Sequence, residues 1–100
     1  MRIAMNKCGE TVIVSLSGYL YIESVKKLYE NCKRYIDNDK ASFVFNLGEL
    51  KYFDSSGLAA LIIMQNEVHA YGGTVIFKEV RGIVREVFDI TRSSEIFKIE

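Results

Sequence analysis

One hundred residues allow one domain of common size, long enough to bury roughly 60–70% of the surface its unfolded chain would expose. With 49% apolar and 26% charged residues, the composition is that of a packed fold and excludes a disordered or low-complexity chain. Thirteen Lys and Arg stand against thirteen Asp and Glu, so no net field draws the molecule to nucleic acid or to an anionic membrane, and any recognition has to be local.

The longest apolar run, residues 58–64, has seven members, where a membrane-crossing helix needs roughly 18–20. Arg2, Lys7 and Glu10 break the opening too early for the apolar core of a secretory signal. The expected location is the cytoplasm, with no membrane insertion. Two cysteines, Cys8 and Cys32, fit a reducing compartment. One histidine and no Cys-x-x-Cys leave too few soft ligands for structural zinc.

In chain order, residues 11–17 alternate Val12, Val14 and Leu16 with Ile13, Ser15 and Ser17, the period of a strand with one face better buried, ended by Gly18. Residues 2–7 pair with it as a hairpin through a turn at Cys8-Gly9. From Ile22 the pattern changes to Val25, Leu28, Tyr29, Cys32, Tyr35 and Ile36, steps of three and four that collect on one side of a helix about fifteen residues long and place Cys32 in the core. Its other side mixes acids with Lys26, Lys27, Lys33 and Arg34, a solvated face and not a basic patch.

Residues 42–47 are apolar at nearly every position, a strand covered on both sides or central in its sheet. Residues 48–53 connect it to Asp54-Ser55-Ser56-Gly57, and a helix over 58–71 follows, closed by Gly72-Gly73. Leu58, Leu61, Ile62 and Val68 form its stripe and Ala59, Ala60 and Ile63 widen it, so its first two turns should be almost wholly buried. Residues 74–77 are a strand, Ile83, Val84, Val87 and Phe88 mark a third helix, and 96–99 form a short extended tail. Strand, helix, strand over 43–77 predicts a right-handed parallel crossover. Ligands and partners meet such units beyond the carboxyl ends of the strands, where Asp54, Ser55 and Ser56 fall.

All three residues can cap the helix. One serine could also be used chemically. As a nucleophile it lacks a base, because His69 lies fourteen residues further along the same helix, about 20 Å away. The corner carries no Gly-x-Ser-x-Gly elbow. As a phosphate cradle it offers one glycine, no lysine and an acidic Asp54. Phosphorylation by a partner kinase fits better: it adds about −1.5 to −2 charges at a helix N-terminus that tolerates them, so the surface changes and the fold survives. Composition and periodicity do not choose between Ser55 and Ser56.

The stretch from Leu47-Gly48-Glu49-Leu50 through Asp54-Ser55-Ser56-Gly57-Leu58-Ala59-Ala60-Leu61 resembles the central signature of the STAS domain, in particular of bacterial anti-sigma factor antagonists. Gly72-Gly73 before Val75-Ile76-Phe77, the helix with Val84, Val87 and Phe88, and the closing Ile96-Phe97-Lys98-Ile99 follow in the family's order. The resemblance implies one α/β domain over residues 1–100, with a mixed four- to five-stranded sheet and about three helices packed mainly on one face. It further implies that Ser55 is the phosphorylated residue and that Asp54, Ser55, Ser56, Gly57 and Leu58 bind the partner. That partner would be an anti-sigma factor with serine kinase activity, reversed by a serine phosphatase; the kinase, not this chain, would bind ATP. No catalysis, cofactor, metal or direct nucleic-acid contact is expected. Where many members show Gly-Glu-Leu-Asp, Gly18 is followed here by Tyr19-Leu20-Tyr21; Arg92-Ser93-Ser94 replaces the more usual small-residue turn. Alternatives are a STAS module in a stress-signalling assembly or beside a transporter, and a small enzyme using Ser55.

Overall fold

The computed structural model describes residues 1–36 and 41–100. The chain runs β1 (Arg2–Cys8), β2 (Thr11–Leu20), α1 (Ile22–Ile36), β3 (Ser42–Phe53), α2 (Ser55–Ala70), β4 (Thr74–Lys78), α3 (Gly82–Ile90) and a short 3-10 turn at Ser93–Glu95. The four strands lie in the order β1-β2-β3-β4. β1 and β2 form the antiparallel hairpin, turned at Gly9, whose φ of 62° is the left-handed conformation that glycine adopts without strain. β2–β3 and β3–β4 are both parallel, so α1 and α2 are successive crossovers. Residues 96–99 are not an extended tail as their pattern predicts: the Ile96 and Phe97 N–H groups both turn back to the Ser93 carbonyl, and only Ile99 pairs, by a single parallel bridge to Phe77. The tail is tied to α2 by Gln65, whose buried Nε2 donates to the Ile96 carbonyl at 3.0 Å.

Helices cover one face of the sheet. On it lie Val12, Val14 and Leu16 of β2, Phe43, Phe45 and Leu47 of β3, and Val75 and Phe77 of β4, all buried. The alternate positions Ile13, Val44 and Ile76 are only half-buried, so β3 is central but not covered on both sides. α1 turns Leu28, Cys32 and Ile36 inward, as its periodicity predicts. All six phenylalanines are buried while all six tyrosines keep some exposure, the division expected when a phenol hydroxyl needs water or a partner. Phe77 and Phe97 lie 4.4 Å apart between ring centroids and Phe53 and Phe88 lie 5.5 Å apart, which pins α3 and the tail to the carboxyl ends of β3 and β4.

Two strands are longer than their patterns predict. β2 does not stop at Gly18, which takes φ 95° within the strand, but runs on to Leu20. Residues 48–53 are not a connector: β3 continues through them to Phe53. Opposite the step from Ser15 to Ser17, β3 advances from Asn46 to Glu49, and opposite Gly18 to Tyr19 it advances from Leu50 to Tyr52. Each shift inserts one extra residue in β3, a bulge. The buried positions Leu47, Leu50 and Phe53 are therefore three apart, which breaks the period of two and hides the strand from a pattern reading. α2 differs as well. Ala59 is exposed and Ile63 is 50% exposed, so its first two turns are not wholly buried; the helix leans on the sheet and α1 and leaves a third side open.

Candidate functional site

The site is the corner where β3 becomes α2. Both bulges lie upstream of it, and they bring Phe53 into register with Leu20, so that the two parallel strands end level. Asp54 follows in extended conformation, φ −92° and ψ −174°, as the N-cap of α2. Its Oδ1 accepts the Gly57 N–H at 2.9 Å and its carbonyl oxygen accepts the Leu58 N–H at 3.0 Å, contacts that stabilise the helix by about 1 kcal/mol. Ser55 and Ser56 are not caps: they are the first two helical residues. The helix therefore starts three residues before Leu58.

Gly57 is buried, and the reason is close approach. A Cβ built on it would fall on the Leu20 carbonyl oxygen and 3.0 Å from both Leu20 Cγ and Phe53 Cβ. Only a residue without a side chain lets the first turn of α2 lie against the ends of β2 and β3. This contact fixes the direction of the turn, and the two serines then fall differently. Ser55 is exposed and Ser56 is half-buried. Asp54 and Leu58 are half-buried beside them.

A shallow cleft of about 180 Å³ opens at Ser55, lined by Tyr52, Phe53, Asp54, Ser55, Leu58, Val87 and Thr91. Tyr52, Val87 and Thr91 are not foreseen from sequence. Val87 reads as a core position of its helix, and Tyr52 sits in the segment whose strand character the bulges conceal. Thr91 Oγ1 donates to the Val87 carbonyl at 2.6 Å, which holds the end of α3 as the cleft wall. No Lys or Arg lines the cleft, and Asp54 is its one carboxylate.

A larger cavity of about 290 Å³ lies elsewhere, among Ser15, Ser17, Asn46, Gly48, Glu49, Glu79 and Arg81. Its cation is already engaged: Arg81 Nη1 sits 3.3 Å from Glu79 Oε2 and Nη2 donates to the Gly48 carbonyl at 3.4 Å. It contains none of residues 54–58.

His69 lies in the last turn of α2, of which Ser55 is the first residue, so one helix holds the two apart by about 20 Å and the serine has no imidazole base. Among the described residues no three His, Cys, Asp or Glu side chains converge in a way that could hold a metal ion, and no helix is long and apolar enough to cross a membrane. Cys32, buried on α1, has its thiol pushed from 9.0 up to about 12 by loss of hydration, which makes it a core side chain and not a nucleophile. Cys8 is exposed at the hairpin end.

Comparison with known proteins bears on this arrangement. The model of the STAS domain matches residues 2–100. The chain belongs to the STAS domain family. A relative from Bordetella bronchiseptica, named as a proposed anti-sigma factor antagonist, BtrV, is 26% identical over 99 residues, covering 99% of this chain and 85% of its own. Among solved structures, the anti-sigma factor antagonist SpoIIAA in its unphosphorylated form superposes with a TM-score of 0.79 at 21% identity, over 99% of this chain and 87% of that one. The Bacillus cell fate determinant SpoIIAA in its phosphorylated form gives 0.78 at 21% identity, over 99% and 91%. A sulfate transporter family protein from Wolinella succinogenes gives 0.76 at 14% identity, over 92% and 77%. The four-stranded mixed sheet with helices on one face is thus the fold of this family, as the resemblance in the sequence implies.

Proposed function

We propose that this STAS domain is an anti-sigma factor antagonist. It binds an anti-sigma factor that has serine kinase activity and so frees a sigma factor for transcription. Phosphorylation of Ser55 by that kinase ends the contact, and a serine phosphatase restores it. The chain is an interaction module of the cytoplasm and not an enzyme; Asp54, Ser55, Ser56, Gly57 and Leu58 are its binding surface.

The observation that carries this reading is the contrast within the serine pair: Ser55 stands exposed over a cleft while Ser56 is half-buried. A kinase can reach the first without disturbing the fold. Charge at that position is tolerated by the chain itself, because the helix N-terminus favours an anion and offsets the repulsion from Asp54. The near-equal superposition on SpoIIAA with and without its phosphate, 0.78 and 0.79, supports a scaffold that survives modification. A partner docked over Ser55 would not tolerate it: burying a dianion without a matching cation weakens binding by about 2–5 kcal/mol, roughly thirtyfold to a few thousandfold.

The likeness to a transporter family protein favours a second reading, a STAS module docked beside a permease with Ser55 unmodified. One experiment separates them. The chain is incubated with ATP and the anti-sigma factor kinase encoded in the same genome, and the phosphate is mapped by mass spectrometry. Phosphate on Ser55 is expected, together with partner binding that Ser55→Ala retains and Ser55→Asp loses. Phosphate elsewhere or nowhere, or equal affinities for the two variants, would discard the switch.

A further inference from the structure

β4 ends at Lys78, in register with Asn46, while β3 runs on to Phe53. The cavity of about 290 Å³ lies past that end, the place where ligands meet parallel units. Ser15, Ser17 and Asn46 alternate along their strands with the buried Leu16, Phe45 and Leu47, so the cavity opens on the sheet face that the helices leave bare.

The backbone around it is shaped in ways the sheet alone does not require. The bulge between Asn46 and Glu49 gives β3 one residue more than β2 and brings the exposed Glu49 to the rim, as bulges re-aim side chains. Glu79 holds φ 58°, the left-handed region that a residue with a side chain seldom adopts and that is often found at ligand sites. Gly48 keeps the floor open: a Cβ there would come within 3.2 Å of both Asn46 Oδ1 and Glu79 Cβ, and 3.4 Å of Arg81 Nη2.

The polar groups divide into those already paired and those free. Arg81 is held by Glu79 and the Gly48 carbonyl. Asn46 Oδ1 accepts the Gly48 N–H at 2.9 Å, which leaves its Nδ2 to donate. Among the described residues no hydrogen bond or ion pair engages the side chains of Ser15, Ser17 or Glu49. Two carboxylates thus face one guanidinium, and the unmatched one is Glu49. Of the neighbouring cations, Lys78 reaches Glu100 at 4.0 Å, and Arg2 and the Met1 amino group, beside Ser17 and Gly18, lie outside the lining. The lining has no aromatic ring on which a base could stack and no uncommitted cation for a phosphate.

We propose that this cavity binds a small hydroxyl-bearing amine, its ammonium on Glu49 and its hydroxyl oxygens on the Asn46 amide and the Ser15 and Ser17 hydroxyls. Its volume lies just under the roughly 300 Å³ at which ligand pockets begin, so the ligand is small. The site contains none of residues 54–58 and is independent of the fate of Ser55.

The test is an amide chemical-shift titration of the full isotope-labelled chain by NMR, at slightly acidic pH. The probes are serinol, glycerol and glycerate, three-carbon molecules that share two hydroxyls and differ in the remaining group: ammonium, hydroxyl or carboxylate. Serinol should give saturable shifts centred on Ser15, Ser17, Asn46, Gly48 and Glu49, and bind about tenfold tighter than either other probe, the gain of a charge-assisted hydrogen bond. Glu49→Gln, at an exposed position, should retain the wild-type dispersion and bring serinol to within about twofold of glycerol. The double variant S15A/S17A should weaken serinol about tenfold, and S55D should bind it as wild type does. Equal affinities for the probes, a preference for glycerate, or a serinol preference that survives Glu49→Gln would overturn the site. Shifts centred elsewhere, or none that saturate, would overturn it equally.

Discussion

The two parallel crossovers leave the sheet at the same level, Tyr19 and Leu20 beside Tyr52 and Phe53, and then part by one residue. Tyr21 precedes α1, and Asp54 precedes α2. At the first corner the residue before the helix offers its carbonyl, which accepts the Ser24 N–H at 2.9 Å, and the helix is held by the buried side chains Leu28, Cys32 and Ile36. At the second corner a carboxylate caps the helix, a glycine seats it against Leu20, and a serine is left outside. Two turns of equal length are thus built differently. The first corner carries the exposed side chains Tyr19 and Ile22; the second is a capped turn with an exposed serine.

The largest test of that difference is Gly57→Ala. The new methyl group meets backbone, which cannot swing aside as a side chain can, so unfolding free energy should fall by about 3 kcal/mol, read from a urea melt. A wild-type midpoint would mean that α2 can lift off the strand ends and that Gly57 does not set the corner. Next is the anchoring of α1 through Cys32. Its thiol ionises near 9.0 when unfolded and near 12 when folded. The folded chain therefore keeps a proton that the unfolded chain loses, and the stabilisation from burial is complete below pH 9 and declines as pH rises towards 12, by up to about 1.4 kcal/mol per pH unit. Alkaline melts of wild type and Cys32→Val should diverge over this range, the variant lacking that decline; parallel curves would deny the thiol its buried role.

Asp54→Ala should cost about 1 kcal/mol by removing the cap, measurable as a lowered melting temperature. Smallest is the reciprocal change. Tyr21→Asp places an N-cap carboxylate before α1 and should raise stability by about 0.5 kcal/mol, read as a higher melting temperature. A variant that loses stability would show that the first corner depends on its aromatic ring for folding.

Much of this was legible before any coordinates. Alternation at Val12, Val14 and Leu16, steps of three and four from Ile22 to Ile36, and Asp54-Ser55-Ser56-Gly57 before an apolar helix depend on local geometry alone: the pleat of a strand, the pitch of a helix, the free N–H groups at its start. Element order, the crossover and the position of the corner follow from these. Long-range features did not follow. The end of β3 was hidden, because two bulges space Leu47, Leu50 and Phe53 by three. The apolar pattern of α2 exceeds its burial, because Ala59 and Ile63 are apolar but exposed. The pairing of Tyr19 with Tyr52 was invisible, because register between strands some thirty residues apart is set by those same bulges.

The local pattern along the chain determined which segments became strands and helices and brought an aspartate and two serines to one turn, since these depend on neighbours a few residues away. Which serine faces solvent, and which aromatic rings stand beside it, was decided only in the tertiary structure. Close packing of Gly57 against Leu20 orients the turn, and a contact between residues so distant in sequence has no signature in either one alone.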